Sequence, residues 1–127
     1  MKYFNMTVTL NNRNLYTTPG ESDALIRTGL PAWTADMFYD YKRNLFVVQN
    51  EVLRNIKNVF DLNPDMIPCW SAGRLLHIYE TCTGDRFVRA TLKDGTPVDL
   101  IPDLVLAIEY AITPVTTQKF DISKLNE

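Results

Sequence analysis

Residues 33–62 contain neither proline nor glycine, and this uninterrupted stretch limits the possible folds of the chain more than any other feature. Its apolar residues recur in steps of three and four, which places them on one stripe of a helix with 3.6 residues per turn. Asn63-Pro64 would end such a helix, because proline disfavours the helical conformation in the residue before it. The stretch predicts one long central helix with this apolar stripe: Phe38, Tyr41, Leu45, Val48, Val52, Ile56 and Val59.

A second apolar stripe lies off the first, with members that follow one another at intervals of seven residues. A helix of this length would span roughly 40 Å, whereas a compact chain of this size has a radius of gyration of about 14 Å. Two interpretations remain open: one wide buried face on a central helix, or a stripe that another copy of the chain covers. With a tryptophan as a further anchor, the residues predicted for a homo-oligomer interface are Trp33, Phe46, Leu53 and Phe60.

The chain before this stretch predicts a β-hairpin and a short helix. Residues 2–10 alternate between apolar and polar, which is typical of a half-buried strand. The asparagine-rich residues 11–14 favour a tight turn, and residues 15–18 would return as the second strand. Ser22 is placed to cap a helix over residues 23–28.

After the long stretch the apolar period changes to two. Residues 74–82 and 86–92 each alternate, and Asp94-Gly95 is a strong hairpin signal. Pro97 limits the residues after it to an edge strand or an extended segment, because proline has no backbone donor. This part of the chain predicts a meander of two strands and a short third.

Residues 101–112 fit a helix and a strand equally well by spacing, and Pro102 in a first helical turn favours the helix. Residues 115–127 are polar with isolated apolar side chains, which indicates either a docked tail or an arm that reaches a neighbouring subunit. Together the elements predict a single α+β domain over residues 1–127: a small antiparallel sheet, made of the hairpin and the meander, packed against one long central helix.

Composition excludes few classes of protein. The 127 residues are 46% hydrophobic, which is ordinary for a globular domain, and the formal net charge of −2 argues against a non-specific nucleic-acid binder. The sequence has no apolar run long enough for a transmembrane helix and no leader peptide, so we expect an intracellular, cytoplasmic protein. Cys69 and Cys82 are too few and too far apart for a disulfide framework or a zinc knuckle, which predicts buried free thiols.

The sequence contains no phosphate-binding loop, no zinc-spaced histidine pair and no nucleophile elbow. On a strand, His77 would point away from both Glu80 and Cys82, because residues three or five positions apart lie on opposite faces. We therefore predict no catalytic residue, no metal site and no cofactor.

One cluster combines arginine with aromatic residues. Arginine binds phosphate or carboxylate groups through two parallel hydrogen bonds, and aromatic rings stack on bases. The cluster favours an anionic, nucleotide-like ligand, while a solvated sheet face with arginine stems lying over aromatic rings is the alternative. The predicted ligand-binding residues are Trp70, Arg74, His77, Tyr79, Arg86, Phe87 and Arg89.

These observations predict a small, non-enzymatic binding protein that is homo-oligomeric through the long helix. It would engage a partner protein or sequester a small anionic ligand. A structural assembly protein, a small enzyme and a single-stranded nucleic-acid binder are the alternatives. The chain's size, its asparagine usage and the missing leader are typical of phage-type accessory proteins, which would place it in the host cytoplasm.

Overall fold

The structure is a computed structural model, and it describes residues 3–6, 15–40, 42, 44–48, 66–113 and 119–126. Its strands are β1 (Tyr3–Met6), β2 (Met37–Tyr39), β3 (Leu45–Val48) and β4 (Ile67–Cys69). Its helices are α1 (Pro19–Thr28), α2 (Ala72–Thr83) and α3 (Leu100–Ile112), with short 3-10 helices at Ala32–Thr34 and Ile122–Asn126. Separate helices and an antiparallel sheet confirm the predicted α+β class.

The four strands form one antiparallel sheet in the order β1-β3-β2-β4. Phe38 of β2 lies opposite Phe46 of β3, and their rings stack with centroids 5.1 Å apart. Such cross-strand aromatic pairs stabilise a sheet beyond the area that they bury. The other neighbour of β2 is β4, where Cys69 lies opposite Met37.

Both faces of β2 are buried, which explains its continuous apolar sequence. Phe38 packs into the larger core, which the three helices fill from one side of the sheet. Met37 and Tyr39 point to the opposite side and pack there in a smaller cluster with Tyr16. The sheet therefore lies between two apolar layers.

Local capping signals fix the ends of α1 and α2. Thr18 caps α1 by accepting the Glu21 N–H, while the Glu21 side chain accepts the Thr18 N–H in return. Ser71 caps α2 by accepting the Arg74 N–H, and Gly84 ends that helix in the left-handed conformation with φ 76°. Glycine suits this position because it has no Cβ to clash there.

The prediction of one helix over residues 33–62 is wrong in its first part, where the structure has a 3-10 helix and the hairpin β2–β3. The turn of the hairpin depends on Asp40, whose carboxylate accepts the N–H groups of Lys42 and Asn44 at 2.8 and 2.9 Å. Aspartate and asparagine side chains offer the backbone such bonds in place of helical ones. The rest of the predicted helix, residues 49–62, lies outside the described residues.

The predicted pairing of the first strand is also wrong. Strand β1 exists where the alternation placed it, but it pairs with β3 rather than with residues 15–18. Tyr16 instead forms an antiparallel bridge with Ser71, and the Thr17 N–H donates to the Trp70 carbonyl at 2.9 Å. Segment 15–17 therefore pairs with residues 70 and 71, which follow β4.

The meander predicted for residues 74–92 is a helix followed by an extended segment. Leu75, Ile78 and Cys82 are buried in α2 at steps of three and four, which is helical spacing. The extended residues after α2 turn back at 93–96, where Gly95 has a positive φ of 87° and the Asp94 carboxylate accepts the Thr96 N–H. This turn was predicted from Asp94-Gly95 and is confirmed.

The two other helix predictions are confirmed. The short helix predicted over residues 23–28 forms the last six residues of α1, but that helix begins earlier and is capped by Thr18 rather than by the predicted Ser22. The ambiguous residues 101–112 are helical in α3. Cys69 and Cys82 are buried free thiols, as predicted. In the described part of the chain, no helix has the length and apolar character needed to span a membrane.

Candidate functional site

The predicted ligand-binding residues do not share one surface, because helix α2 separates residues that a strand would have aligned. Trp70 is fully buried, and its indole N–H donates to the Thr34 hydroxyl at 3.0 Å. Its ring belongs to the core between the sheet and the helices. A residue in this position holds the fold together and does not present its ring to a ligand.

Arg74 is part of a polar network at the beginning of α2. Its Nε–H donates to the Thr34 carbonyl at 2.7 Å, and burial lowers its pKa, while the nearby Asp36 carboxylate acts in the opposite direction. The same carboxylate accepts the Ser71 N–H at 2.9 Å and the Ser71 hydroxyl at 2.5 Å. The network joins the segment before β2 to the capped end of α2.

His77 lies on the exposed side of α2, with its Nδ1 atom 3.4 Å from the Thr81 hydroxyl. On a helix His77 and Glu80 are neighbours, so the argument that separated them on a strand does not apply. The Glu80 carboxylate, however, accepts the Phe87 N–H at 3.0 Å. Glu80 thereby fastens the extended segment to α2.

Tyr79 and Phe87 are the two predicted residues that do come together. Their rings meet edge to face, with centroids 5.7 Å apart and an interplanar angle of 80°. Both are partly buried against the core, so the pair holds the beginning of the extended segment on α2. Arg86, directly before Phe87, is exposed.

Residues 86–98 form what we call the ribbon, two extended arms joined by the turn at 93–96. The Val98 N–H donates to the Ala90 carbonyl at 3.0 Å, and the Leu92 N–H donates to the Thr96 carbonyl at 2.8 Å. The Arg89 Nε–H crosses between the arms to the Val98 carbonyl at 2.9 Å. These bonds give the ribbon a defined shape outside the sheet.

One contact anchors the ribbon to α3. The buried Asp103 carboxylate accepts the Ala90 N–H at 2.7 Å. A hydrogen bond to a charged group is worth more than one between neutral groups, about 1.5–3 kcal/mol. With the Phe87 contacts at its beginning, the first arm is therefore held at two points.

The ribbon exposes apolar side chains although hydrogen bonds hold its backbone in place. Val88 is 81% exposed and Leu92 is 55% exposed, with the exposed Ala90 between them. Alternate residues of an extended chain share one face, so these three form an apolar face of the ribbon. The sequence shows the same alternation, but the site prediction did not include these residues.

A second exposed apolar pair lies on α3. Leu106 is 64% exposed and Tyr110 is 61% exposed, and they lie four residues apart, on one side of the helix. Leu106 lies three residues after Asp103, the anchor of the ribbon. Leu106 and Asp103 are therefore neighbours on the surface of α3.

Burial disfavours the thiolate form of both cysteines. Burial raises the pKa of Cys69 to about 12, against the hydrogen bonds from Thr17 and Tyr39, which lower it. Burial also raises the pKa of Cys82, to about 11. Over the residues that the structure describes, no group of histidine, cysteine and acidic side chains is arranged to hold a metal ion.

Of the residues predicted for the oligomer interface, Trp33 and Phe46 are partly buried against the chain's own core, and Phe46 stacks on Phe38. Leu53 and Phe60 lie outside the described residues. The interface stays a prediction.

Comparison with known proteins adds no relative to this picture: no family model, no curated protein and no solved structure matches the chain.

Proposed function

We propose that this chain is a non-enzymatic binding protein that engages a partner protein through the ribbon. The observation that supports the proposal is the exposure of Val88 and Leu92 on a segment that hydrogen bonds hold in a fixed shape. An apolar face held in water gains free energy when another surface covers it.

Leu106 and Tyr110 are a second exposed apolar pair on α3, the helix that anchors the ribbon through Asp103. Tyrosine is enriched where proteins bind one another, because its ring buries a large area while its hydroxyl stays hydrated. A partner that covers the ribbon beside Asp103 would be in reach of this second pair.

The most reactive side chains of the described residues take part in structural contacts instead. Both thiols are buried with raised pKa values, Arg74 and Asp36 belong to a structural network, and Glu80 holds the Phe87 backbone. This use of the reactive side chains supports a binding function over an enzymatic one.

This surface has features that suit both predictions, the anionic ligand and the partner protein, since the exposed Arg86 and Arg89 lie on either side of Val88 in the sequence. Acidic groups on a protein would satisfy both features, whereas a free nucleotide would leave the apolar face uncovered. Homo-oligomerisation stays a separate prediction, and the mass of the particle by light scattering tests it.

Site-specific crosslinking tests the proposed function. A photoreactive amino acid is placed at position 88 in the full chain, and a matched control carries it at position 23, an exposed site on α1. We expect defined crosslinked protein products from position 88 in cells that express the chain, and none in common with position 23. The same products from both positions, or none from position 88, would contradict the proposal.

A further inference from the structure

The ribbon has one backbone edge open and the other blocked. The Ala90 carbonyl and the Leu92 N–H form hydrogen bonds with the opposite arm, while the Ala90 N–H donates to Asp103 of α3. Because neighbouring residues of an extended chain direct their N–H and C=O groups to opposite sides, Arg89 and Thr91 direct theirs outward. Within the described part of the chain neither residue makes a backbone hydrogen bond, and both are exposed. At the outer edge of the other arm, Pro97 lies opposite Thr91 and has no N–H to offer.

An exposed strand edge is a template for another strand, and proteins use it to bind extended peptides. Main-chain hydrogen bonds then provide affinity, while alternate side chains provide specificity. A strand added along residues 89–91 would also widen the apolar face of Val88 and Leu92, since its own alternate side chains would lie beside theirs.

The charges along this edge favour an acidic partner. Residues 86–93 carry Arg86, Arg89 and Lys93 and no acidic side chain, although the whole chain has a formal net charge of −2. The nearest acidic residues in sequence are Asp85 and Asp94. Two carboxylates contact the arm from other elements, Glu80 at the Phe87 N–H and Asp103 at the Ala90 N–H, and both are engaged in those hydrogen bonds. Pairing the edge with a second copy would set the cations of one copy beside those of the other, and facing like charges destabilise a strand pair.

We propose that the edge at residues 89–91 binds an extended acidic segment of a partner protein by β-strand addition, with the partner's acidic residues on the face of Arg89 and its alternate apolar residues on the face of Val88. This inference rests on the proposed function, since it assigns a binding mode and a chemical class to the partner of the ribbon.

Fluorescence polarisation with synthetic peptides and the full chain tests the inference. The probe is a short peptide that alternates valine with glutamate, and its counterpart alternates valine with lysine. We expect the glutamate peptide to bind, with affinity that falls as salt is added, and the lysine peptide not to bind. The variant R86E/R89E reverses two charges and lowers affinity by about tenfold. The control K119E/K124E also reverses two charges, on the exposed Lys119 and Lys124 of the C-terminal segment, and leaves the affinity unchanged.

N-methylation of the glutamate peptide tests the backbone pairing without altering the protein. Methyl groups on alternate amides block one edge of the peptide and keep its charge and side chains. We expect one of the two alternating patterns to abolish binding and the other to preserve it. Equal binding of both methylated peptides would overturn strand addition in favour of simple charge attraction. Failure of every peptide, with position 88 still giving crosslinks, would overturn this inference and leave the proposed function standing. Dimers that R86E/R89E strengthens would identify a second copy as the occupant and would also overturn it.

Discussion

Two tyrosines on the same side of the sheet differ in how their buried hydroxyl groups are satisfied. The Tyr39 hydroxyl donates to the Thr17 carbonyl at 2.7 Å, and burial raises its pKa. The Tyr16 hydroxyl is buried and makes no hydrogen bond with any described residue, and its pKa is raised chiefly by burial and further by Cys69. An unsatisfied buried polar group costs free energy, whereas a satisfied one stabilises modestly.

The substitutions Tyr16→Phe and Tyr39→Phe form a matched pair, because each removes one oxygen atom from the same apolar cluster. We expect Tyr16→Phe to raise the free energy of unfolding by about 1 kcal/mol and Tyr39→Phe to lower it by about 1 kcal/mol. Urea denaturation followed by tryptophan fluorescence measures both. A loss of stability in Tyr16→Phe would mean that its hydroxyl has a partner in solution.

The thiols provide a pH-dependent test of burial. Since folding raises the pKa of Cys69 to about 12 and of Cys82 to about 11, the native state retains protons that the unfolded state releases near its ordinary value of 9.0. The resulting stabilisation is complete below pH 9 and is lost as the pH rises through 11 to 12. We expect native chain at pH 8 to react with a thiol reagent far more slowly than chain in concentrated guanidinium, with Cys82→Ser isolating Cys69. Equal rates in both solvents would show that the thiols are accessible.

At the scale of elements, helix α3 and the turn at 93–96 follow from local signals, while α2 and the β2–β3 hairpin were missed. Leu75, Ile78 and Cys82 fit a helix as well as alternation fits a strand, and short apolar segments are ambiguous in this way. The deciding signals were the Ser71 cap and the stop at Gly84, which are present in the sequence. In the stretch after Trp33, the Asp40 side chain stabilises a turn by hydrogen bonds, although the sequence has no glycine or proline there to indicate one.

Only part of the candidate binding site could be predicted, because sequence patterns do not distinguish a buried residue from an exposed one. Arg86 and Arg89 are exposed on the ribbon, as a ligand-binding role requires, but Trp70 is in the core. A tryptophan gives the same sequence signal in a core as in an interface, and only the packing distinguishes them.

The anchor of the ribbon can be tested by hydrogen exchange. Asp103→Ala removes the acceptor of the Ala90 N–H, and we expect faster exchange over residues 86–98 with little change in α2. Asp103→Asn is the matched control, because its amide oxygen can still accept the bond while the negative charge near the beginning of α3 is lost. Comparable exchange in the two variants would indicate that the charge, rather than the hydrogen bond, holds the ribbon.

For the whole molecule, the order β1-β3-β2-β4 could not be read from local patterns, because the outermost strands come from distant parts of the chain. Segment 15–17 illustrates the point: the asparagine-rich turn before it predicts a strand paired with the first one, but its partner lies beyond β4. Pairing between distant segments is decided by which apolar faces they bury together, and periodicity does not carry that information.

The C-terminal residues 119–126 contribute apolar contacts to the core. Phe120, Ile122 and Leu125 pack against the core, and the Asp121 N–H donates to the Cys82 carbonyl at 2.8 Å, at the end of α2. Each of these partly buried side chains contributes on the order of 1 kcal/mol by removing apolar area from water. The segment therefore covers apolar residues of the same chain.

We expect a chain that ends at residue 118 to lose about 3 kcal/mol of unfolding free energy, measured by urea denaturation. Lys124→Ala is the control, because the exposed Lys124 lies in the same segment without contributing to its apolar contacts. The predicted alternative, an arm that reaches a neighbouring subunit, would make the stability of the full chain depend on protein concentration. Unfolding midpoints that stay constant over a wide range of concentrations, together with the loss on truncation, would assign the segment to its own chain. Full stability after truncation would mean that these contacts do not hold in solution.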